Sequence, residues 1–171
     1  EYPAAYNNRG NVLLGLGAAR EAIKDFDRAL VLAPGYAAAY SNRAGAQLRL
    51  GQVDRAMADY SKAIELAPTS AAALSGRGRA HLAAHRPYGA IRDFTRAISI
   101  DTRFSAGYRS RAEAKLATER YEEAIEDFNR AIQLYPEYAA VYNNRGNVLL
   151  GLGVVKEAIK DLDRAIVLAP G

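Results

Sequence analysis

The chain has 171 residues, 50% hydrophobic and 25% charged, a balance that sets it apart from disordered and membrane-spanning sequences. Its 23 basic and 19 acidic side chains leave a formal charge of +4, too thin an excess for a nucleic-acid binder but enough to tilt ligand choice toward acidic groups. Cysteine is absent, which excludes disulfides, thiolate metal sites and a cysteine nucleophile, and fits a reducing cytoplasm.

From the N-terminus, the stretch YNNRGNVLLGLG at 6–17 returns letter for letter at 142–153, four periods of 34 residues later. Cut at that period, the blocks 3–36, 37–70, 71–104, 105–138 and 139–171 align without a gap. In the first block Tyr6, Gly10, Leu13 and Leu14 stand at helical spacing and predict a helix that breaks at Gly17. A second helix follows in EAIKDFDRALVL (21–32) and stops before Pro34. The second block repeats this with Tyr40, Ala44, a break at Gly51 and Pro68. The third is the least regular: Leu74 replaces the aromatic, His85 the turn glycine and Thr102 the closing proline. Its Pro87 opens a second helix, where a missing N–H costs nothing. The fourth block carries Tyr108, Ala112, a break at Glu119 and Pro136; the fifth carries Tyr142, Gly146, Gly153 and Pro170. In every second helix an alanine column (Ala22, Ala56, Ala90, Ala124, Ala158) precedes a bulky one (Phe26, Tyr60, Phe94, Phe128, Leu162). Another alanine follows at Ala29, Ala63, Ala97, Ala131 and Ala165.

These columns of bulky, small, alanine, aromatic, alanine and proline residues resemble the tetratricopeptide repeat, a 34-residue helix–turn–helix unit. The resemblance covers essentially the whole chain. It implies an all-α fold: a right-handed superhelical α-solenoid of antiparallel helix pairs, running as a single array over 1–171. Because EYP at 1–3 matches EYA at 137–139 and no capping helix follows Gly171, the chain reads as a piece of a longer array.

One pair of columns is unusual for the family. Arg9, Arg43, Arg77, Arg111 and Arg145 stand where leucine is expected, and Asp25, Asp59, Asp93, Asp127 and Asp161 follow each by sixteen residues. Both columns fall where the two helices of a hairpin face one another, so an Arg–Asp bridge inside each repeat is expected, structural in role.

The resemblance also implies a protein- or peptide-binding scaffold whose groove is lined by the first helix of each repeat. There the groove would present Asn7, Asn8 and Asn11, then Asn42, then Asn143, Asn144 and Asn147. Two readings are open for these amides. They hold an extended peptide by its backbone, in the manner of the asparagine ladder in the repeat domain of O-linked N-acetylglucosamine transferases, or they cap and solvate helix starts. Gly76 and Ser110 interrupt the ladder. Arg49, Arg79 and Arg109 fall at successively earlier groove positions and form either a diagonal that reads acidic ligands or solvated surface, with Glu113 close by. The column Leu14, Leu48, Leu82, Leu116 and Leu150 reads as core. The two-carboxylate clamp that grips chaperone tails is absent, since Ala72 and Gly76 occupy the places of its basic pair.

No catalysis, cofactor or metal is expected. His81 and His85 share a helix face at i, i+4 without a third ligand or an intervening glutamate. GLG at 15–17 is a turn rather than a phosphate loop. A second functional class is head-to-tail self-association, in which Ile159, Leu162 and Ile166 at one end meet a surface around Tyr6 at the other. Nucleic-acid and membrane partners are not expected.

Overall fold

The structure is a computed structural model that describes residues 2–169; Glu1, Pro170 and Gly171 lie outside the described residues, and with them the last member of the proline column. The described residues form ten helices that cluster into two compact units, residues 1–100 and 101–171. The first unit holds three antiparallel hairpins: α1 (Pro3–Gly15) with α2 (Ala19–Leu32), α3 (Ala37–Arg49) with α4 (Val53–Leu66), and α5 (Ala71–Ala83) with α6 (Pro87–Ile100). The second unit pairs α7 (Ser105–Leu116) with α8 (Tyr121–Leu134), and α9 (Ala139–Gly151) with α10 (Val155–Leu168).

Each hairpin turns on one residue in the left-handed region. Gly17, Gly51 and Gly153 take φ of 83°, 72° and 78°, which glycine adopts freely. The turn then closes the helix by its own backbone: after α1, Ala18 N–H donates to the Leu13 carbonyl at 2.9 Å and Gly17 N–H to that of Leu14 at 3.2 Å. His85 and Glu119 adopt the same backbone, at φ of 55° and 59°, with a Cβ present. That conformation costs an L-residue about 1–2 kcal/mol. Replacing His85 or Glu119 with glycine is therefore expected to raise stability by about 1 kcal/mol, read as a shift in urea midpoint. An unchanged or lower midpoint would show that these turns are unstrained.

The hairpins close because small residues let the helices touch. Ala22, Ala29, Ala56, Ala90, Ala97, Ala124 and Ala131 are fully buried, and Phe26, Phe94 and Phe128 are buried beside them. The Phe26 ring fills the space over Gly10, where an added Cβ would lie 2.6 Å from Cε1; Phe94 sits over Gly78 in the same way at 2.8 Å. In the second repeat Ala44 occupies that place, and the Tyr60 ring lies against Gly76 of α5 instead. Any side chain at Gly76 would collide with it, which explains why the asparagine column breaks there.

Within each unit, consecutive hairpins then cover one another's apolar faces. Tyr6, Tyr36 and Tyr40 pack on a cluster of Ala29, Leu30 and Ala39, while Leu13, Leu14, Ile23 and Leu50 surround Ala19, Ala22, Phe26 and Ala46. In the second unit Tyr108, Leu116, Ile132, Tyr138 and Val148 surround Ala112, Ala124, Phe128, Ala131 and Val141.

Candidate functional site

The Arg and Asp columns meet in every hairpin. Arg9 donates from Nε and a terminal nitrogen to both oxygens of Asp25, at 2.7 and 2.6 Å. The same fork joins Arg43 to Asp59, Arg77 to Asp93, Arg111 to Asp127 and Arg145 to Asp161, all within 2.6–2.9 Å. The guanidinium beside it holds the Asp25 carboxyl below the ordinary carboxylate range, and the pairing raises Arg43 and Arg77. Stacking fixes the fork from the other side: Arg9, Arg43, Arg111 and Arg145 lie over Tyr6, Tyr40, Tyr108 and Tyr142 at 5.5–5.8 Å. Several also reach the preceding repeat, Arg43 to Asp27 at 2.7 Å, Arg77 to Ser61 at 3.2 Å and Arg145 to Asn129 at 2.5 Å. These arginines are occupied in holding helices together and are not groove residues.

Two further side chains beside these aspartates lie in a column that varies from repeat to repeat. Where the first and last repeats have Leu13 and Leu149, the third and fourth have His81 and Lys115. Lys115 Nζ lies 2.9 Å from Asp127 Oδ2 and is buried there. His81 Nε2 lies 3.7 Å from Asp93 Oδ2, while its buried Nδ1 has no hydrogen-bond partner. Burial pushes the His81 pKa below the ordinary value; Asp93 opposes this, and Arg77, Arg92 and Arg86 add to it. Because the fold prefers neutral His81, the unfolded chain binds its proton first as pH falls. This contribution is complete above the unfolded value, about 6.5, and is lost as pH drops through the lower folded value. His81→Leu, the residue found in the first and last repeats, is expected to flatten that part of the profile of denaturation midpoint against pH. A profile identical to the parent's would exclude His81 as the cause.

The groove candidates separate by unit. In the first, α1, α3 and α5 border a cavity of about 390 Å³ lined by Leu14, Asn42, Leu48, Arg49, Tyr60 and Arg79, among others. Arg49 donates to the Leu14 carbonyl at 2.7 Å, on the last turn of α1, where a cation is favoured by the helix dipole. Arg79 meets the hydroxyl of buried Tyr60; burial raises that phenol and Arg79 draws it back down. Neither arginine is paired with a carboxylate among the described residues. Asn42 donates to Asn7 at 2.8 Å, so the ladder here links α1 to α3, with Asn7 itself buried and Asn8 and Asn11 exposed.

In the second unit a cavity of about 570 Å³ is lined by Glu113, Leu116, Tyr121, Asn144, Asn147, Val148 and Leu152. Glu113 accepts from Arg109 at 2.5 Å and from Asn144 at 3.0 Å. Arg109 also lies over the Tyr138 ring at 5.6 Å, so its charge is spent inside the unit. Asn143 faces a different trough, beside Tyr138, Leu162 and Ile166. No asparagine in question caps a helix: α1, α3 and α9 begin after tyrosines without a side-chain cap. The leucine column divides between core and rim. Leu14 and Leu116 are partly buried against the core clusters of their units, Leu48 and Leu82 are partly buried, and Leu150 is exposed, because the column runs along the first-helix face at the rim of the cavities.

Among the described residues no three potential metal-ligating side chains converge, and no helix is long and apolar enough to cross a membrane.

Models of the tetratricopeptide repeat match residues 7–71 and 139–171, and a further TPR repeat model matches 112–153. The chain belongs to the tetratricopeptide repeat family. Its fold is the all-α helical-repeat solenoid of that family. A MamA structure from Desulfovibrio magneticus RS-1 is 19% identical, with a TM-score of 0.86 over 97% of this chain and 94% of the other. TTC0263, a thermophilic TPR protein of Thermus thermophilus, is 20% identical, with a TM-score of 0.83 over 98% and 92%. YrrB, described as a TPR protein with an unusual peptide-binding site, is 20% identical, with a TM-score of 0.76 over 96% and 85%. At these identities the likeness is one of fold. Among curated proteins there is no match.

Within this tetratricopeptide repeat chain the proposed end contacts separate as well. Tyr6 lies inward on the Ala29–Leu30–Ala39 cluster, between α2 and α3, and is not part of an open end surface. Ile159 and Ile166 are exposed and Leu162 is partly so, along one face of α10.

Proposed function

We propose that the protein is a non-catalytic scaffold that holds an extended peptide against the faces of its first helices, with a preference for acidic ligands in the first unit. One observation carries this reading: Arg49 and Arg79 open into the same cavity as Asn42, and no carboxylate among the described residues neutralises them. A guanidinium without an internal carboxylate, beside an amide and partly exposed leucines, suits a carboxylate followed by peptide backbone. Arg109, taken up by Glu113, contributes no charge to such a ligand. The second unit offers amides and apolar side chains instead, through Asn144, Asn147, Leu116 and Val148. The unusual peptide-binding site of YrrB is consistent with this use of the fold.

A random peptide library selected on the protein is expected to enrich acidic peptides, and Arg49→Ala/Arg79→Ala to weaken the best of them about tenfold or more. Asn42→Ala is expected to weaken acidic and neutral binders alike. Enrichment unaffected by the arginine pair would remove the acidic preference, and no enrichment at all would remove the groove reading.

A second reading, head-to-tail assembly, has its own support. Leu30 and Ile64 are each 7% exposed, whereas Ile166, at the same repeat position, is 66% exposed. Tyr2, just ahead of α1, and Val12 within it are exposed, and their counterparts Tyr138 and Val148 pack on the Phe128 cluster. Placing α1 of a second copy on α10 would therefore repeat the packing of α9 on α8. Sedimentation equilibrium across a wide concentration range tests this: association abolished by Val12→Glu supports it, and a constant monomer mass excludes it.

A further inference from the structure

Four of the five second helices carry acids on their exposed face: Glu21 and Asp27 on α2, Asp54 and Glu65 on α4, Glu122 and Glu126 on α8, and Glu157 and Asp163 on α10. The exception is α6. Its one acid, Asp93, is fully buried with both oxygens taken by Arg77. The place of Glu21 and Glu157 is filled by Gly89, where the His81 ring leaves no room for a side chain, an added Cβ lying 2.6 Å from Nδ1. Thr95 replaces Asp27 and Asp163.

What α6 exposes instead is Tyr88, Arg92 and Arg96 in successive turns, with Arg86 just ahead of the helix and Ile100 at its end. Tyr88 is 73% exposed. None of the three arginines is paired with a carboxylate among the described residues. Arg92 and Arg96, at i, i+4, repel one another, so folding alone gives no reason for this arrangement.

We propose that the exposed face of α6, formed by Arg86, Tyr88, Arg92, Arg96 and Ile100, is a docking surface for an acidic segment of a partner protein. Charge complementarity sets the sign of the partner. The class of partner follows from the residue types. Arginine and tyrosine are enriched at protein interfaces and lysine depleted, and this face carries no lysine. Guanidinium forks at one-turn spacing match carboxylates on a partner helix, and the apolar residues at both ends offer surface that a protein buries. Nucleic acid calls for a longer cationic track than three arginines provide. This surface is separate from the first-helix cavities, and the inference does not depend on them.

The probe is short poly-L-glutamate, titrated into the full chain at low salt. Arg92→Ser/Arg96→Ser is expected to weaken binding about tenfold or more. Because the first-helix cavity is itself proposed to take acidic ligands, the comparison is repeated in the Arg49→Ala/Arg79→Ala background, where the loss from Arg92→Ser/Arg96→Ser is expected to persist. A control removes the same charge elsewhere: Lys156→Ser/Lys160→Ser on α10 is expected to leave binding little changed. An equal loss in the α10 control would reduce the effect to net charge, and no further loss from Arg92→Ser/Arg96→Ser in the groove-variant background would place all the binding in the groove; either overturns the proposal. So would the absence of binding, or tighter binding of a short DNA duplex or of phosphatidylserine vesicles. A local readout accompanies the titration. His81 senses Arg86 and Arg92, so carboxylates docked on them should shift its imidazole resonances in the parent and not in Arg92→Ser/Arg96→Ser.

Discussion

Asp127→Ala is expected to destabilise the protein by about 3–5 kcal/mol, the range for removing one partner from a buried ion pair. Asp127 holds two cations at once: Arg111 through both of its oxygens, at 2.6 and 2.8 Å, and Lys115 at 2.9 Å. All three groups are largely shielded from water, with side-chain exposures of 6%, 17% and 9% for Asp127, Arg111 and Lys115. Without the aspartate, Lys115 retains, among the described residues, the Glu123 carbonyl at 3.2 Å and its carboxylate at 3.8 Å. Asp25→Ala removes the equivalent carboxylate in the first repeat, where Arg9 is largely in water, and is expected to cost far less. The fork geometry is the same in both, so the contrast reports burial together with the second cation that only Asp127 holds. A further variant separates charge from packing: Lys115→Leu installs the residue found at Leu13 and Leu149, and in the Asp127→Ala background it should restore part of the loss. Urea denaturation of the four proteins decides the matter. Equal losses at Asp25 and Asp127, or no recovery in the double variant, would show that desolvated charge is not what Asp127 controls.

How much of this was readable beforehand depends on whether a residue acts by repeating or by differing. The hairpin turns, the buried alanines and the phenylalanines over glycine recur every 34 residues, and each recurs for a packing reason that no single repeat can escape. Arg9 and Asp25 are similar: a charge placed identically in five repeats faces the same neighbour five times. The residues that periodicity hid are those that break a column. His81 and Lys115 stand in a column that also holds Leu13, Gln47 and Leu149, and their contact with Asp93 and Asp127 gives them a role. Tyr60 differs from phenylalanine by one hydroxyl, yet with Ala44 beneath it the ring lies on Gly76 and its oxygen reaches Arg79. The neutralisation of Arg109 was visible as an i, i+4 pair with Glu113; the added grip of Asn144 from α9 was not. The leucine column divides between core and rim because regular spacing marks a face without saying whether another helix covers it.

The same argument about packing by repetition makes Phe94→Ala the second large effect, at about 3–5 kcal/mol. Phe94 is fully buried, and its ring lies over Gly78, where the nearest ring atoms stand 2.8–3.0 Å from the position of a Cβ. A glycine cannot grow into the space the ring vacates. The small residues around it, Ala90 and Ala97, are themselves fully buried and hold the two helices at a fixed separation. The cavity therefore stays open, and the loss should fall toward the upper end of what truncating a phenylalanine costs. Leu162 occupies the same column over Gly146 but is only partly buried, since no helix among the described residues covers that side of α10. Leu162→Ala gives up less transfer free energy and leaves a site already open to water, so its cost should be clearly smaller. Because stability in a stacked array is a sum over repeats and their interfaces, the difference between the two truncations measures what a covering neighbour adds to one side chain. Comparable losses from the two variants would mean that the hairpin, and not its neighbour, supplies the stability of the bulky column.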